Sequence, residues 1–338
     1  RDARATMEAH LRLRHRLVPY LYTWARRSAG EGTAPVRPVY HDHPRELAAY
    51  EHRGSFFFGD LLVVPFTSPL DGTTGLGREL TWLPDGVWYD LPTGLRYEAT
   101  TGGRGRMLSL SRPLDRIGVL ARAGSVIPLA GNLTEAAGDN PRELEIVVVP
   151  GGSGSFTLEE DDGSAQPGED QIARTHMALT WPDAEEEDGA DVVLRIRLEG
   201  AAEVVPASRL VTVRLLAGQV AGAWLGVGER ARRLATEEVS GDGFTLGAGT
   251  LVHLEELSRQ ELIDGVQLVL RGTKHSPADW RDEVHAILDA ARVEYMAKDL
   301  AWDAVQRGLS GTALLGELEA LGLPETLRAA VAEVLPHS

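Results

Sequence analysis

Apolar positions recur at 7, 11, 18, 21 and 25, and again at 13, 17, 20 and 24. Both are helical spacings, and they predict one helix over residues 2–27, closed by Gly30 and Gly32. Projected at 100° per residue, Leu13, Leu17, Tyr20, Trp24, Leu21, Met7, Val18, Leu11 and Tyr22 fill an arc of about 200°. A surface helix needs an apolar stripe of only ~100°, so this helix is expected to be covered on two sides. Glu8, Arg12, Arg16, Pro19, Thr23, Arg26 and Arg27 fall on the other side, where a kink at Pro19 is tolerable. His10 and Arg14 interrupt the apolar arc. A buried Arg without a partner is costly, so Arg14 is expected to reach a carboxylate or backbone carbonyls, from segment 35–60 or from chain outside the sequence. Residues 34–44 (APVRPVYHDHP) read as extended, because Pro35, Pro38 and Pro44 oppose a helix.

From residue 56 the pattern changes to short apolar runs punctuated by Gly, Pro, Asp and Thr. Strands are predicted at 61–66, 80–83, 87–89, 95–97, 107–110, 117–121 and 126–129. A second series is predicted at 144–149, 155–158, 176–181, 192–198, 210–216, 221–227 and 243–246. Strands at this spacing suggest β-sandwiches. Residues 130–143 read as a linker between the two series. From about Glu255 helix takes over: residues 279–306 place Val284, Ile287, Leu288, Ala291 and Tyr295 on one stripe. Two shorter helices follow at 312–321 and 324–335, with Pro324 suited to a first turn.

Composition narrows the function classes. The chain has 338 residues, enough for two or three domains. Its 37 Gly and 18 Pro fit a turn-rich, β-rich architecture. The net charge of −16 leaves no basic footprint for nucleic acid, and no apolar run approaches the ~20 residues of a membrane helix. Without cysteine there is no disulfide, thiolate catalysis or Cys-ligated zinc. The first residue is Arg1 and Met7 lies inside a helical pattern, so the chain reads as a piece of something longer. A cytoplasmic location is expected.

Candidate chemistry is sparse. Between Glu159 and Asp191 stand twelve acidic residues and one Arg, Arg174. Within them LEEDDG (158–163) admits three readings. It is a paired-carboxylate site, a calcium loop, though without EF-hand spacing, or a turn in which Asp161 and Asp162 bond nearby backbone N–H groups and Gly163 takes a positive φ. HDH (41–43) would put two imidazoles on one face of a strand, where they could ligate a metal; surface histidines are the commoner case. GGSGS (151–155) opens a strand rather than a helix, so it lacks a phosphate cradle. RGTKHS (271–276) lacks P-loop spacing, and both read as loops. NLT (132–134) fits a glycosylation sequon. Ser125 and Ser155 have no nucleophile-elbow context. No catalytic, substrate-binding or metal-binding residue can be named from these patterns, and no cofactor is implied.

Five stretches, taken in order, resemble glycoside hydrolase family 31, the α-glucosidases and α-xylosidases. LRLRHRLVPYLYTWARRSAGEGTAPVRPVYHDHP (11–44) resembles the end of the family's catalytic domain, with its helix at Leu13–Thr23 and its extended segment at Pro35–Tyr40. FFFGDLLVVPF (56–66), WLPDGVWYDLPTG (82–94), LARAGSVIPLAG (120–131) and GSFTLEEDDG (154–163) are similar to successive family motifs. Glu159 replaces an aromatic, HDHP is more polar than usual, and the likeness fades after about residue 200.

The resemblance implies a mainly β fold. Two consecutive β-sandwich domains would be preceded by the last helix of a (β/α)8 barrel and followed by a helical appendage. It implies four parts: 1–48, the end of the barrel; 49–137, a proximal sandwich; 138–254, a distal sandwich; and 255–338, a helical extension. The aromatics of 81–103 would then be core and interface with hydrogen-bonded polar tips. The family's nucleophile and acid/base are aspartates on barrel strands upstream of the final helix, so neither is carried over. The function implied is the non-catalytic C-terminal part of a retaining α-glycosidase acting on terminal α-linked sugars, with this segment inactive alone. Its partners would be the upstream barrel and an α-linked oligosaccharide, with a homo-oligomer allowed. Two alternatives stand beside it. A carbohydrate-binding sandwich would need exposed Trp82, Trp88 and Trp181. A subunit-docking module would leave an exposed apolar stripe on the C-terminal helices.

Overall fold

A computed structural model describes residues 3–134, 138–182, 191–226, 228, 231–276 and 279–335. The fold is mainly β, with helices near both ends. Contacts divide it into two compact units: residues 1–36, 58–60 and 121–276, and residues 37–57, 61–120 and 277–338.

The first unit begins with two helices, α1 (Ala3–Arg16) and α2 (Val18–Glu31), rather than the single helix expected. The break falls at Leu17. Pro19 supplies no N–H, and its ring crowds the preceding turn, so the helix restarts with Pro19 in its first turn. Pro19 is buried, not on a wet polar face, and so is Thr23, which the projection had also placed there. The C-cap is Gly32 at φ 75°, whose N–H bonds the Ser28 carbonyl.

Most of the rest of this unit is a ten-stranded sheet. Its order is Gly154–Glu160, Ala173–Thr180, Val192–Gly200, Val266–Arg271, Gly222–Leu225, Arg232–Val239, Gly249–Ser258, Ser208–Leu216, Glu143–Val148 and Val126–Ala130. Neighbours run antiparallel except Glu143–Val148 with Ser208–Leu216. Strict alternation buries one face: Val192, Leu194, Ile196 and Leu198 point inward, while Arg195 and Arg197 point out. Each fully buried Leu or Val contributes roughly 1.5–3 kcal/mol.

The second unit holds most of a six-stranded sheet, including Leu61–Val64, Gly118–Arg122, Val87–Asp90 and Arg96–Glu98, and the hairpin Gly77–Leu83 with Arg106–Arg112. Four helices complete it: Trp280–Ala290, Tyr295–Gln306, Gly311–Ala320 and Glu325–Val334. Val284, Ile287, Leu288, Leu314, Leu318, Leu327 and Val331 share one core with Phe57, Leu62, Trp88, Tyr97 and Leu110.

Several expectations are corrected. The strands that flank the stretch read as a linker, Val126–Ala130 and Glu143–Val148, pair with each other in the first unit. Helix does not take over at 255, since Gly249–Ser258 and Val266–Arg271 are strands of the first unit. No strand forms at 243–246, where the Asp242 carboxylate caps a tight turn by accepting from the N–H groups of Phe244, Thr245 and Leu246. The helix expected over 279–306 is two, and Tyr295 begins the second with 76% of its surface exposed. Residues 39–42 form a short helix, Val39–Asp42, within the segment read as extended. Val227 and residues 135–137 lie outside the described residues.

Candidate functional site

The acidic run 159–162 gathers the most chemistry in the first unit. Strand Gly154–Glu160 alternates, so Phe156, Leu158 and Glu160 point inward while Thr157 and Glu159 take the other side. Glu160 is buried against Arg209, which is 1% exposed. Arg209 Nη1 donates to Oε2 at 2.8 Å and Nη2 donates to Oε1. This two-pronged pair satisfies both carboxylate oxygens.

Past the strand end the backbone turns. The N–H of Gly163 donates to Asp161 Oδ1 at 2.9 Å, and the N–H of Ser164 to Asp162 Oδ1 at 3.0 Å. Gly163 sits at φ 77°, which a side chain would resist. Gln171 Nε2 donates to Asp162 Oδ2 at 2.8 Å. The Ser164 N–H first, and then Gln171, hold the Asp162 carboxyl below the ordinary carboxylate range. The turn reading of Asp161 and Asp162 is what the structure contains.

The other oxygens face α2. Arg26 Nε donates to Glu159 Oε2 at 3.0 Å, and Arg174 Nε donates to Glu159 Oε1 at 3.0 Å. Tyr22 donates its hydroxyl to Asp161 Oδ2, with Arg26 Nη1 3.7 Å away. Burial, and then the Asp161 carboxylate, push the Tyr22 phenol above its usual value. The Glu159 N–H donates to Thr23 Oγ1 at 3.0 Å, which explains why Thr23 is buried. Tyr20 stacks on Phe156 with ring centroids 5.2 Å apart, and Arg27 lies 4.9 Å over both Phe156 and Trp24. One turn earlier, Arg16 donates to Glu145 at 2.7 Å, and Arg214 holds the second oxygen at 2.7 Å.

A second support comes from residues 58–60. Tyr20 donates its hydroxyl to the Phe58 carbonyl at 3.4 Å and accepts from the Asp60 N–H at 2.7 Å. Gly59 between them sits at φ 59°, and a Cβ there would lie 2.3 Å from the Tyr20 oxygen. Only glycine fits this approach.

The chemistry of the run follows from these partners. All four carboxylates at 159–162 are held by donors of their own unit, so none is left to act as a nucleophile and acid pair. Among the described residues no group of three or more His, Asp or Glu could hold a metal. His41 and His43 do not share a strand face: His41 Nδ1 lies 3.0 Å from Asp42, and His43 packs edge-on to Trp82 with centroids 5.3 Å apart. Burial alone would raise the Asp42 carboxyl, but the Arg37 guanidinium, donating at 2.8 and 2.9 Å, holds it low. GGSGS runs into strand Gly154–Glu160, and RGTKHS carries a two-residue strand, Lys274–His275, paired with Gly218–Gln219. Asn132 Oδ1 accepts from the N–H and hydroxyl of Thr134, at 2.8 Å each.

The tryptophans of 81–103 are core. Trp82 and Trp88 are 4% and 3% exposed, and their indole N–H groups donate to the carbonyls of Arg104 and Pro84. Trp181 is half-buried. Trp82 and Trp88 offer no open platform for a sugar. Tyr22, Arg26, Arg209 and Glu145, which carry the grip on α2 and the strand, were not singled out from sequence. Arg14 is exposed, and Arg16 finds a carboxylate in Glu145. His10 Nδ1 donates to the Thr6 carbonyl at 2.8 Å.

Comparison with known proteins finds likenesses over part of the chain. Residues 32–127 match the profile described as Glycosyl hydrolase family 31 C-terminal domain. The chain is 29% identical over 163 residues to an alpha-xylosidase of Saccharolobus solfataricus, covering 48% of this chain and 21% of that protein. It is 26% identical over 216 residues to the lysosomal alpha-glucosidase of Mus musculus, covering 59% of this chain and 22% of that one. The chain thus spans about a fifth of the length of these curated relatives. Among solved structures, a Flavobacterium johnsoniae GH31 dextranase superposes at a TM-score of 0.60 with 18% identity, over 77% of this chain and 32% of its own. The ER glucosidase II catalytic subunit does so at 0.55 with 21% identity, over 79% and 28%. At these identities the superpositions speak for the fold, which is shared over much more of the chain than the profile covers.

Proposed function

We propose that this chain, whose residues 32–127 match the glycosyl hydrolase family 31 C-terminal domain, is the non-catalytic C-terminal part of a retaining α-glycosidase. It braces the catalytic barrel through α1 and α2. The observation that carries this reading is the asymmetry of the two helices. α2 is gripped by the strand end at 156–161 and by the turn at 58–60. α1 has no buried residue, and Met7, Leu11 and Leu21 stand 64%, 55% and 38% exposed. Exposed apolar side chains of this kind are what an adjoining domain covers, and a barrel whose last helix is α1–α2 would cover them.

In that whole protein, one upstream carboxylate attacks the anomeric carbon of a terminal α-linked sugar. The other protonates the leaving oxygen and then activates water. The alpha-xylosidase and alpha-glucosidase relatives support an α-glycoside as substrate. This chain contributes rigidity and a covered helix, with no group that touches the sugar.

The test has two arms. The chain alone is assayed with an aryl α-glucoside and an aryl α-xyloside, and no turnover above background is expected. Turnover abolished by a substitution within residues 1–338 overturns the reading. In the protein extended upstream, Leu11→Asp is expected to reduce activity and the midpoint of thermal inactivation, while leaving the melting of this chain by itself unchanged. Unchanged activity and stability in the extended protein would remove the bracing role.

A further inference from the structure

The C-terminal helices share their core with the strands of the second unit, and inside that core lie four polar side chains. Asp90, Tyr97, Arg112 and Glu333 are 0%, 1%, 3% and 6% exposed. Arg112 Nη2 donates to Asp90 Oδ2 at 3.0 Å and Nη1 donates to Glu333 Oε1 at 2.6 Å. Tyr97 donates its hydroxyl to Glu333 Oε1 at 2.9 Å, and the Ser111 N–H donates to Oε2 at 2.5 Å. Asp90 is also served by the Thr93 hydroxyl at 2.8 Å. Three of the four side chains belong to strands, and only Glu333 comes from the C-terminal segment.

We propose that Glu333 makes the C-terminal helical segment a proton-linked latch, which seats most firmly with its carboxyl protonated and loosens as that carboxyl ionises. The argument is one of charge count. Asp90 and Arg112 already form a neutral buried pair on the strand side. Docking the last helix brings a second carboxylate onto a guanidinium that has its counter-charge, in a place water does not reach. Two carboxylates sharing one cation repel, and burial opposes a second negative charge. Three donors favour the ionised form, yet burial outweighs them and pushes the Glu333 carboxyl above its ordinary value. Tyr97, whose hydroxyl oxygen also accepts from Arg112 Nη2 at 3.1 Å, stays neutral, because burial, and then Glu333, hold that phenol far above its usual value.

The sign follows. When the segment opens, Glu333 returns to an ordinary carboxyl of about 4.3. Its contribution to seating is therefore full below that value and lost as pH rises through the higher, seated value. Between the two the opening equilibrium grows by up to about tenfold per pH unit.

Other charged groups on the segment and the elements beside it are distinct from Glu333. Asp71 accepts from Thr326 at 3.5 Å and is held low, first by the Thr74 N–H, so it acts in the opposite direction. Arg116 pairs with Glu283 at 3.0 Å, Arg328 with Glu319 at 3.3 Å, and His285 lies against Trp302. Arg106 and Glu98 lie beyond Tyr97.

Hydrogen exchange of peptides from 280–335 in the full chain, corrected for intrinsic rates, tests the latch from pH 5 to 8. Opening is expected to rise with pH in the wild type and to lose that rise in Glu333→Gln. Asp90→Asn, which removes the competing negative charge, is expected to keep the segment seated to higher pH relative to its own acid limit. A wild-type segment whose opening does not change with pH, or a rise that persists in Glu333→Gln, overturns the proposal. If Glu333→Gln does not fold, the wild-type profile and Asp90→Asn decide it alone.

Discussion

Two clusters built from the same chemistry sit in different surroundings. Around Arg26 the partners Glu159 and Asp161 keep 18% and 8% of their side-chain surface, and Arg26 itself keeps 20%. Around Arg112 the values are 0% for Asp90, 1% for Glu333 and 3% for the Arg. Both join elements far apart in sequence, 133 residues for Arg26–Glu159 and 221 for Arg112–Glu333. Water remains close to the first cluster and dilutes each pair, so losing one partner is softened. In the second nothing replaces a lost partner, and the count of charges decides which state is preferred.

The buried extreme can be tested where the charges balance one to one. Arg209→Met strands the buried Glu160 carboxylate, and a loss of about 3–5 kcal/mol is expected in urea melts. The double variant Arg209→Met with Glu160→Leu is expected to recover most of it. A single variant that melts like the wild type would erase the distinction between the clusters.

The next effect tests whether the grip on α2 depends on close approach as well as on charge. Gly59→Ala must force a Cβ against the Tyr20 oxygen at a positive φ. About 1–3 kcal/mol of destabilisation is expected from strain and displacement, read from thermal melts and from faster exchange of α2 amides.

A smaller effect belongs to the half-wet clamp. Arg26→Met is expected to cost about 1 kcal/mol or less, and the difference from wild type should shrink at high salt, where the screening length falls to about 3 Å. A loss as large as that of Arg209→Met would place this clamp with the buried pairs.

Acid provides a fourth probe. Burial would raise the Asp242 carboxyl, but the Thr245 hydroxyl and the N–H groups of Thr245, Phe244 and Leu246 hold it below the ordinary range. Its contribution is present above the unfolded value and lost as pH falls through the folded one. Asp242→Asn should melt lower than the wild type at neutral pH, and the gap should close as pH falls through the folded value. The smallest effect is expected at Asp162→Asn, which keeps the turn's acceptor oxygen and should melt within error of the wild type; Asp162→Leu, without an acceptor, should melt lower.

Much of the fold was legible where alternation is strict. Val192–Gly200 and Ser208–Leu216 bury every second residue over most of their length, so period-two reading finds them. Arg232–Val239 buries only Leu234 and carries charge on most other positions, which leaves no pattern to read. The turn at 161–163 was legible because its donors and acceptors are two residues apart. Its neighbours were not: Glu160 is defined by an Arg 49 residues away, and Tyr22 by an Asp 139 residues away. A helical projection could not foresee that Pro19 would split the helix and reset the phase between α1 and α2. It therefore placed Arg16, which pairs with Glu145, on the polar side.

The second unit is written in separated pieces, and this bears on how it is born. Tyr97 waits 236 residues for the Glu333 carboxylate that completes its surroundings. During synthesis its strands leave the ribosome first, and every residue of 121–276 follows before the helices that share their core. Through that interval Leu62, Leu110 and their neighbours have no covering helix, the exposure that invites misassembly and chaperone attention. A nonsense codon just before residue 280 would therefore damage strands that lie well over a hundred residues upstream of it.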